Sequence, residues 1–477
     1  MNTRDPESAL YRAERRVLEI QAKLHRWSGD DPYRRFDDLF NLVCDPAFLL
    51  VAWDRVRGNR GAKTAGVDGR TAPSISHGQG IEDFLDELRT SLKDRSFRPL
   101  PVRERMIPKA SGKLRRLGIA TIRDRVVQAS LKLVLEPIWE ADFRPCSYGF
   151  RPGRRAHDAV AETVMFVNNR YEWIVEGDIT ACFDEISHSA LLERVRQRIG
   201  DKRVLALVKA FLKAGILAED GSLRNSRTGA PQGGILSPLL SNVALSVLDD
   251  DIAQIPGGPR SNTVERAKRK RHGLANYRLI RYADDWLLLV TGTREHALGM
   301  RDRAAAVLAP MGLRLSEEKT KITHIDEGVD FLGWRIQRHR KKGTNRHYIY
   351  WYPSRKAVKI ITGKVKMLCR RMDTNQPLDA LLRQLNPALR GWCAYFRPGM
   401  SARTFCYLSA YLWGRVMAWL RRKHRRTTWK ELRRRYCGGR WWPSGQELGM
   451  FNPAKVRTSR YLYRGVIGIP SPWPTEG

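Results

Sequence analysis

No stretch of the 477 residues approaches the run of about 20 apolar residues that a membrane helix needs, so no membrane partner is expected. The seven cysteines, Cys44, Cys146, Cys182, Cys369, Cys393, Cys406 and Cys437, include no C-x-x-C pair. Neither a disulfide framework nor a thiolate zinc site is indicated, and a reducing compartment fits. The amino terminus carries Asp5, Glu7, Glu14 and Glu19, unlike an acid-poor transit peptide. Acid is otherwise scarce: 50 Asp and Glu stand against 86 Lys and Arg, a formal charge of +36.

A charge of that size is the footprint of a polyanion binder, expected to be less stable and less soluble alone than with its partner. Solubility or attraction to a membrane surface is the competing explanation. It fits less well, because the cations are interleaved with aromatics and Gly rather than gathered on one amphipathic helix. With 42% hydrophobic residues the chain can fill the cores of two or three domains.

The acids that remain are placed pointedly. In Leu279-Ile280-Arg281-Tyr282-Ala283-Asp284-Asp285-Trp286-Leu287-Leu288-Leu289-Val290, two adjacent carboxylates separate apolar runs long enough for strands. The pattern predicts a tight hairpin with acids at its tip. Alone, such a pair could equally be two solvated turn aspartates. A second apolar run, Trp173-Ile174-Val175-Glu176-Gly177-Asp178, also ends on a carboxylate. Two strand-end acid sites can share hard divalent ions, which take oxygen ligands and are usually held by one or two carboxylates plus substrate phosphates. A pair of such ions supports in-line nucleotidyl transfer.

Tyr282-Ala283-Asp284-Asp285 resembles the YxDD box of reverse transcriptases, and the Asp178 region resembles their first palm acid motif. Over roughly residues 35 to 440, with motifs in the usual order, the chain resembles the reverse transcriptase/maturase proteins encoded by group II introns. The resemblance implies an α+β right-hand polymerase, with fingers and an antiparallel palm sheet followed by an α-helical thumb and maturase domain. The expected boundaries are an N-terminal helical extension at 1–32, fingers and palm at 33–350, thumb at 351–385, maturase domain at 386–440 and a tail at 441–477. Asp178, Asp284 and Asp285, with the backbone carbonyl of Ile179, would hold two Mg²⁺, with Mn²⁺ able to substitute.

Other motifs extend the likeness. Ala65-Gly66-Val67-Asp68-Gly69 resembles an element found before the fingers, and is otherwise a plain glycine-rich loop. Residues 103–119 alternate apolar and basic side chains around a Ser-Gly turn, predicting a hairpin with cations on one face. The family's fingers motif puts Lys109 and Arg115 on the incoming triphosphate; a solvated edge hairpin is the alternative. Cys146-Ser147-Tyr148-Gly149-Phe150-Arg151-Pro152-Gly153-Arg154-Arg155-Ala156-His157 interleaves aromatics with Arg, suiting base stacking and phosphate contact through Arg151, Arg154 and Arg155. His157 reads as a packed or hydrogen-bonded helix-start histidine rather than a catalyst.

Phe183 stands where the family excludes a ribose 2′-hydroxyl, although without the resemblance it reads as core. Gln232, in Ala230-Pro231-Gln232-Gly233-Gly234, matches the motif lining the nucleotide site. Lys319 could protonate the leaving pyrophosphate or be an ordinary surface lysine. Val329-Asp330-Phe331-Leu332-Gly333-Trp334 matches the strand expected to close the palm, and 255–276 is expected to be a basic, RNA-contacting or mobile loop. Lys356, Lys359, Lys364 and Lys366 surround the apolar face of a thumb helix, and Arg421-Arg422-Lys423 belongs to a maturase region gripping RNA.

The carboxy-terminal residues lack the cysteine pairs and His-Asn-His pattern of relatives with an endonuclease, so second-strand cleavage is not expected. The implied partners are group II intron RNA, an RNA template with a DNA primer, deoxynucleoside triphosphates and a DNA target. The implied roles are cDNA synthesis, assistance to splicing, and retrohoming in a bacterial-type cytoplasm, nucleoid or RNA associated. A mainly non-enzymatic splicing cofactor and a domesticated or defence-associated reverse transcriptase are the alternatives.

Overall fold

The structure is a computed structural model and describes residues 6–108, 114–226, 228–341, 343–438, 441–466 and 468–473. The chain forms two compact units, each discontinuous in sequence. The larger comprises Met1–Arg155, Val175–Ile322 and Ile467–Gly477, and the smaller Ala156–Ile174 and Thr323–Val466. The described strands are β1 (Val102–Pro108), β2 (Leu114–Ile119), β3 (Trp173–Gly177), β4 (Ile216–Leu217), β5 (Leu223–Arg224), β6 (Tyr277–Tyr282), β7 (Asp285–Val290), β8 (Lys321–His324), β9 (Val329–Phe331), β10 (Trp334–Arg340) and β11 (His347–Pro353).

In the larger unit the core is built on the helix Ile122–Asp142. Thr121 caps it, accepting from the Asp124 nitrogen at 3.1 Å, and most of its side chains are buried. The helix Pro46–Gly58 starts at an Asp45-Pro46 pair: Asp45 Oδ1 accepts from the Ala47 nitrogen at 2.8 Å, and Pro46 needs no amide partner. Helix Pro6–Asp30 is no loose extension. It packs Ala13, Val17, Gln21, Leu24 and Ser28 inward, while Leu18 is 52% exposed. Gln21 and Ser28 join the stripe because they donate to the carbonyls of Leu133 and Ile138, at 2.7 and 2.9 Å.

Two sheets carry the site. One has the order β2-β1-β4-β5 and contains the predicted fingers hairpin, with β1 and β2 antiparallel. The other has the order β6-β7-β3-β8, and the unit boundary cuts β3 and β8. The 255–276 excursion is not simply a loop. Asn262 and Glu265 form a capping box that starts the exposed helix Thr263–Arg271.

In the smaller unit β11-β10-β9 make a separate sheet, so the 329–334 motif is a strand, a left-handed turn at Leu332 and Gly333, and the start of a second strand. It does not extend the β6-β7-β3-β8 sheet. The helices Arg355–Arg371, Leu378–Phe396 and Ala402–Lys423 follow. The boundary expected at 385/386 falls inside Leu378–Phe396, and Asp379 receives the backbone nitrogens of Gln446 and Leu448 at 2.9 and 2.8 Å.

Candidate active site

The β6–β7 register pairs Tyr282 with Asp285, leaving Ala283 and Asp284 as the tip of the hairpin. Ala283 adopts φ 58°, a left-handed conformation that costs a non-glycine residue on the order of 1 kcal/mol. It is over-determined from behind. The Tyr148 nitrogen donates to Arg281 O and the Arg281 nitrogen to Cys146 O, both at 2.8 Å. A Cβ on Gly149 would stand 2.3 Å from the Ala283 nitrogen, so only glycine lets this segment lie against the turn.

Arg281 organises this region. Its Nε and Nη2 donate to Asp249 at 2.8 and 2.5 Å, its Nη1 to Asn242 at 2.9 Å and to the Ala283 carbonyl at 3.1 Å, and its Nη2 to Ser147 at 2.8 Å. The side chains of Arg281 and Asp249 are both 0% exposed. Burial alone would lower the guanidinium pKa, but the Asp249 charge and hydrogen bonds carry it above the ordinary value. This network is absent from the sequence reading. Its one signal is an arginine within the apolar run Leu279-Ile280-Arg281.

Asp178 follows β3 directly. A Cβ on Gly177 would lie 2.0 Å from the Trp286 ring, so the absence of a side chain lets the indole of β7 cross β3 beside the two acid positions. The Asp178 carbonyl accepts from the Ser316 nitrogen at 2.8 Å, and the Thr180 nitrogen donates to Arg314 O at 2.9 Å. These bonds flank an antiparallel bridge between Ile179 and Leu315 and do not use the Ile179 carbonyl. The same turn delivers Lys319, whose Nζ donates to Asp178 Oδ2 at 2.8 Å.

Lys319 is held above the usual lysine value first by that hydrogen bond, and also by the charges of Asp178, Glu318 and Asp285. Asp284 in turn acts on Cys182, whose thiol is pushed up to about 12, chiefly by burial. Lys319 thus links Asp178 with Asp285, while Asp284, next to Asp285 in the chain, acts on Cys182. Among the described residues no three His, Cys, Asp or Glu side chains stand close enough to cage a metal by themselves. The donor set still suits a hard divalent ion completed by waters and substrate phosphates. Cys182 stays a protonated thiol and offers no competing soft ligand.

The residues expected at the nucleotide gather separately. Arg115 Nε donates to Gln232 Oε1 at 2.8 Å, and the Gly118 nitrogen to Gln232 O at 2.7 Å. The Ala230 nitrogen donates to Phe183 O at 2.7 Å, and Phe183 is 8% exposed. That burial suits a steric wall and a core residue alike. Lys109 lies outside the described residues.

Several expected nucleic-acid contacts need correction. Arg151 is internal: Nε and Nη2 clamp Glu140 at 2.8 and 2.7 Å, and Nη1 donates to the carbonyls of Arg144 and Ser147. Its donors are committed within the protein and cannot serve a phosphate. Arg154 is mostly covered, donating to Pro145 O at 3.0 Å, whereas Arg155 is exposed. Arg422, still exposed, and the half-buried Lys423 donate to the carbonyls of Cys369 and Thr374, at 2.5 and 2.7 Å, tying helix Ala402–Lys423 to the 369–376 segment. Arg421, Lys356, Lys359 and Lys364 remain exposed, and Lys366 is half-buried. His157 Nε2 bonds the Tyr395 carbonyl at 2.7 Å, the packed role expected of it.

An acid hairpin beside a second acid strand, with a basic fingers hairpin bonded to a glycine-rich loop, is the part list of a polymerase, and within that class of the reverse transcriptases. Residues 107–336 match the family described as reverse transcriptase (RNA-dependent DNA polymerase), and residues 358–437 the group II intron, maturase-specific domain. Protein YkfC of Escherichia coli K12 is 36% identical over 360 residues, covering 72% of this chain and 93% of that protein. The group II intron-encoded protein LtrA of Lactococcus lactis is 32% identical over 373 residues, 69% of this chain and 60% of its own length. A 91 kDa protein in the cob intron of Schizosaccharomyces pombe is 34% identical over 369 residues, 67% of this chain and 45% of that one.

The chain belongs to the group II intron-encoded reverse transcriptase/maturase family and is an RNA-directed DNA polymerase with a maturase domain. Enzymes of this domain family use divalent metal ions, and both domains imply nucleic-acid substrates, intron RNA among them. Among the described residues no helix is long and apolar enough to cross a membrane.

Proposed function

We propose that the protein copies RNA into cDNA from a primer 3′-hydroxyl and deoxynucleoside triphosphates, and that it grips group II intron RNA to assist splicing and retrohoming. The carrying observation is that Lys319 hydrogen-bonds Asp178 and also feels the charge of Asp285, as expected when both acids face one reaction centre. Asp178, Asp284 and Asp285, with the Ile179 carbonyl, would hold two Mg²⁺. Such ions, when bound, activate the attacking hydroxyl and stabilise the leaving oxygen.

The protein's own groups do the rest. Arg115 and Gln232, already hydrogen-bonded to each other, present a cation and an amide to the triphosphate. Lys109 belongs to the same sequence motif. Phe183, fixed through its carbonyl by Ala230, walls off the position of a ribose 2′-hydroxyl. Lys319 leaves Asp178 when substrate charge arrives and is then placed to give its proton to pyrophosphate. The thumb and maturase regions follow the palm, without the expected division at 385/386, which would cut helix Leu378–Phe396.

Primer extension on an RNA template with Mg²⁺ tests this reading. Asp284→Ala should abolish synthesis while RNA affinity stays at the parent level. Equal extension by the variant would reject the assignment of the acids.

A further inference from the structure

Residues 337–357 fall between the two matched segments, and they contain most of a basic hairpin. From 334 to 353 the sequence carries Arg335, Arg338, Arg340, Lys341, Lys342 and Arg346 and no Asp or Glu. β10 and β11 pair antiparallel, with Arg335 opposite Tyr352, Gln337 opposite Tyr350 and His339 opposite Tyr348. Directly opposed residues share a face, and residues two apart on a strand repeat it. Tyr348, Tyr350 and Tyr352 therefore stand in a row at steps of about 6.6 Å, beside a parallel row of Arg335, Gln337 and His339.

The alternate positions turn inward, with Ile336 at 0% and Trp351 at 9% exposed. On the tyrosine face the inner rungs are already braced. The Tyr352 hydroxyl donates to Gln337 Oε1 at 3.2 Å, and the His339 ring meets Tyr350 edge-on at 5.7 Å. Tyr348, the outermost ring, is 42% exposed. A rigid row of amphipathic rings on a sheet is the arrangement on which successive unpaired bases stack, because every base offers a π-face.

Charge selects the occupant. Arg335 is answered by Asp330, and Arg338 by Asp326 and Glu172 in a groove of about 730 Å³ lined largely by the other face. Lys341 and Arg346, at the tip, meet no carboxylate among the described residues. We infer that the tyrosine face of this hairpin is a stacking platform for an unpaired RNA segment, whose phosphates Lys341 and Arg346 neutralise. The choice of RNA rests on the maturase reading above, since the hairpin shares a compact unit with that domain. The stacking geometry does not depend on the catalytic acids.

The test uses the full-length protein and a short fluorescein-labelled oligouridylate, read by anisotropy, alone and annealed to its complement. Tyr348→Leu/Tyr350→Leu should bind the single strand roughly tenfold more weakly and the duplex as the parent does. Tyr348→Phe/Tyr350→Phe should bind both like the parent, since stacking needs the ring and not the hydroxyl. Single-strand binding unchanged in the Leu variant would overturn the inference. So would equal losses for single strand and duplex, or a Phe variant as weak as the Leu variant. Ultraviolet crosslinking of 4-thiouridine RNA to the unmodified protein needs no variant to fold: crosslinks should map to the peptide containing 348–352, and their absence there also overturns it. Extension by Asp284→Ala reports on the polymerase reading alone.

Discussion

Removing either charge of the buried Arg281–Asp249 pair should cripple the fold, whereas removing both should not. Both side chains are 0% exposed, and Arg281 distributes its donors over Asp249, Asn242, Ser147 and the Ala283 carbonyl. Arg281→Met or Asp249→Ala leaves an uncompensated buried charge, which typically costs about 3–5 kcal/mol. At about 2–4 °C per kcal/mol for a large domain, each single variant should melt on the order of 6–20 °C below the parent. Arg281→Met/Asp249→Leu removes both charges and should recover most of that loss in a thermal melt. Activity should behave differently. The double variant still lacks the donor to the Ala283 carbonyl, so the turn carrying Asp284 loosens, and primer extension should stay about tenfold or more below the parent. Single variants melting within about 1 kcal/mol of the parent, or a double variant as unstable as the singles, would refute this reasoning.

Burial raises the Asp124 carboxyl from 3.8 to about 6, against hydrogen bonds from Thr121 and Leu100. The folded chain therefore binds this proton more tightly than the unfolded chain, and the associated stability is present below about pH 4 and lost as pH rises through 6. Asp124→Asn should match the parent at pH 4 and be more stable at pH 8, by at most about 3 kcal/mol, in urea titrations at the two pH values. Gly177→Ala should abolish extension by driving a methyl into the Trp286 ring, and Trp286→Leu in the same chain should restore part of it. Arg151→Met should lower the melting temperature by breaking the Glu140 clamp, yet leave the salt dependence of RNA affinity unchanged; a shallower slope would return Arg151 to the nucleic-acid surface.

The acid hairpin, the strand before Asp178, the cap at Asp45 and the fingers hairpin were legible because each is a local pattern of period, turn and cap. Residues 146–155 show where such reading fails. Interleaved aromatics and arginines suit a nucleic-acid surface, but the same side chains make internal cation–π and ion-pair packing, with Arg151 over Phe143 at 5.3 Å and clamped to Glu140. Only the fold decides between them, by bringing Tyr148 and Gly149 against the acid hairpin. The stripe of helix Pro6–Asp30 was hidden because two of its members, Gln21 and Ser28, are polar and bond carbonyls of a helix more than a hundred residues away. Helix Thr263–Arg271 has a legible start, since Asn262 and Glu265 stand at capping-box spacing, but the density of cations around it equally suits a solvated loop.

The wide sequence separation between two buried acids and their donors bears on how the smaller unit is assembled during synthesis. Asp158, fully buried on helix Ala156–Asn168, accepts from Tyr461 at 2.8 Å and from Arg464, a residue translated 306 positions later. Glu162 on the same helix accepts from Tyr463 at 2.8 Å. Until that stretch leaves the ribosome, these acids lack those donors and the helix cannot settle into its final seat. A message broken shortly before codon 461 would yield a product containing every residue assigned to catalysis, but one prone to degradation rather than able to work.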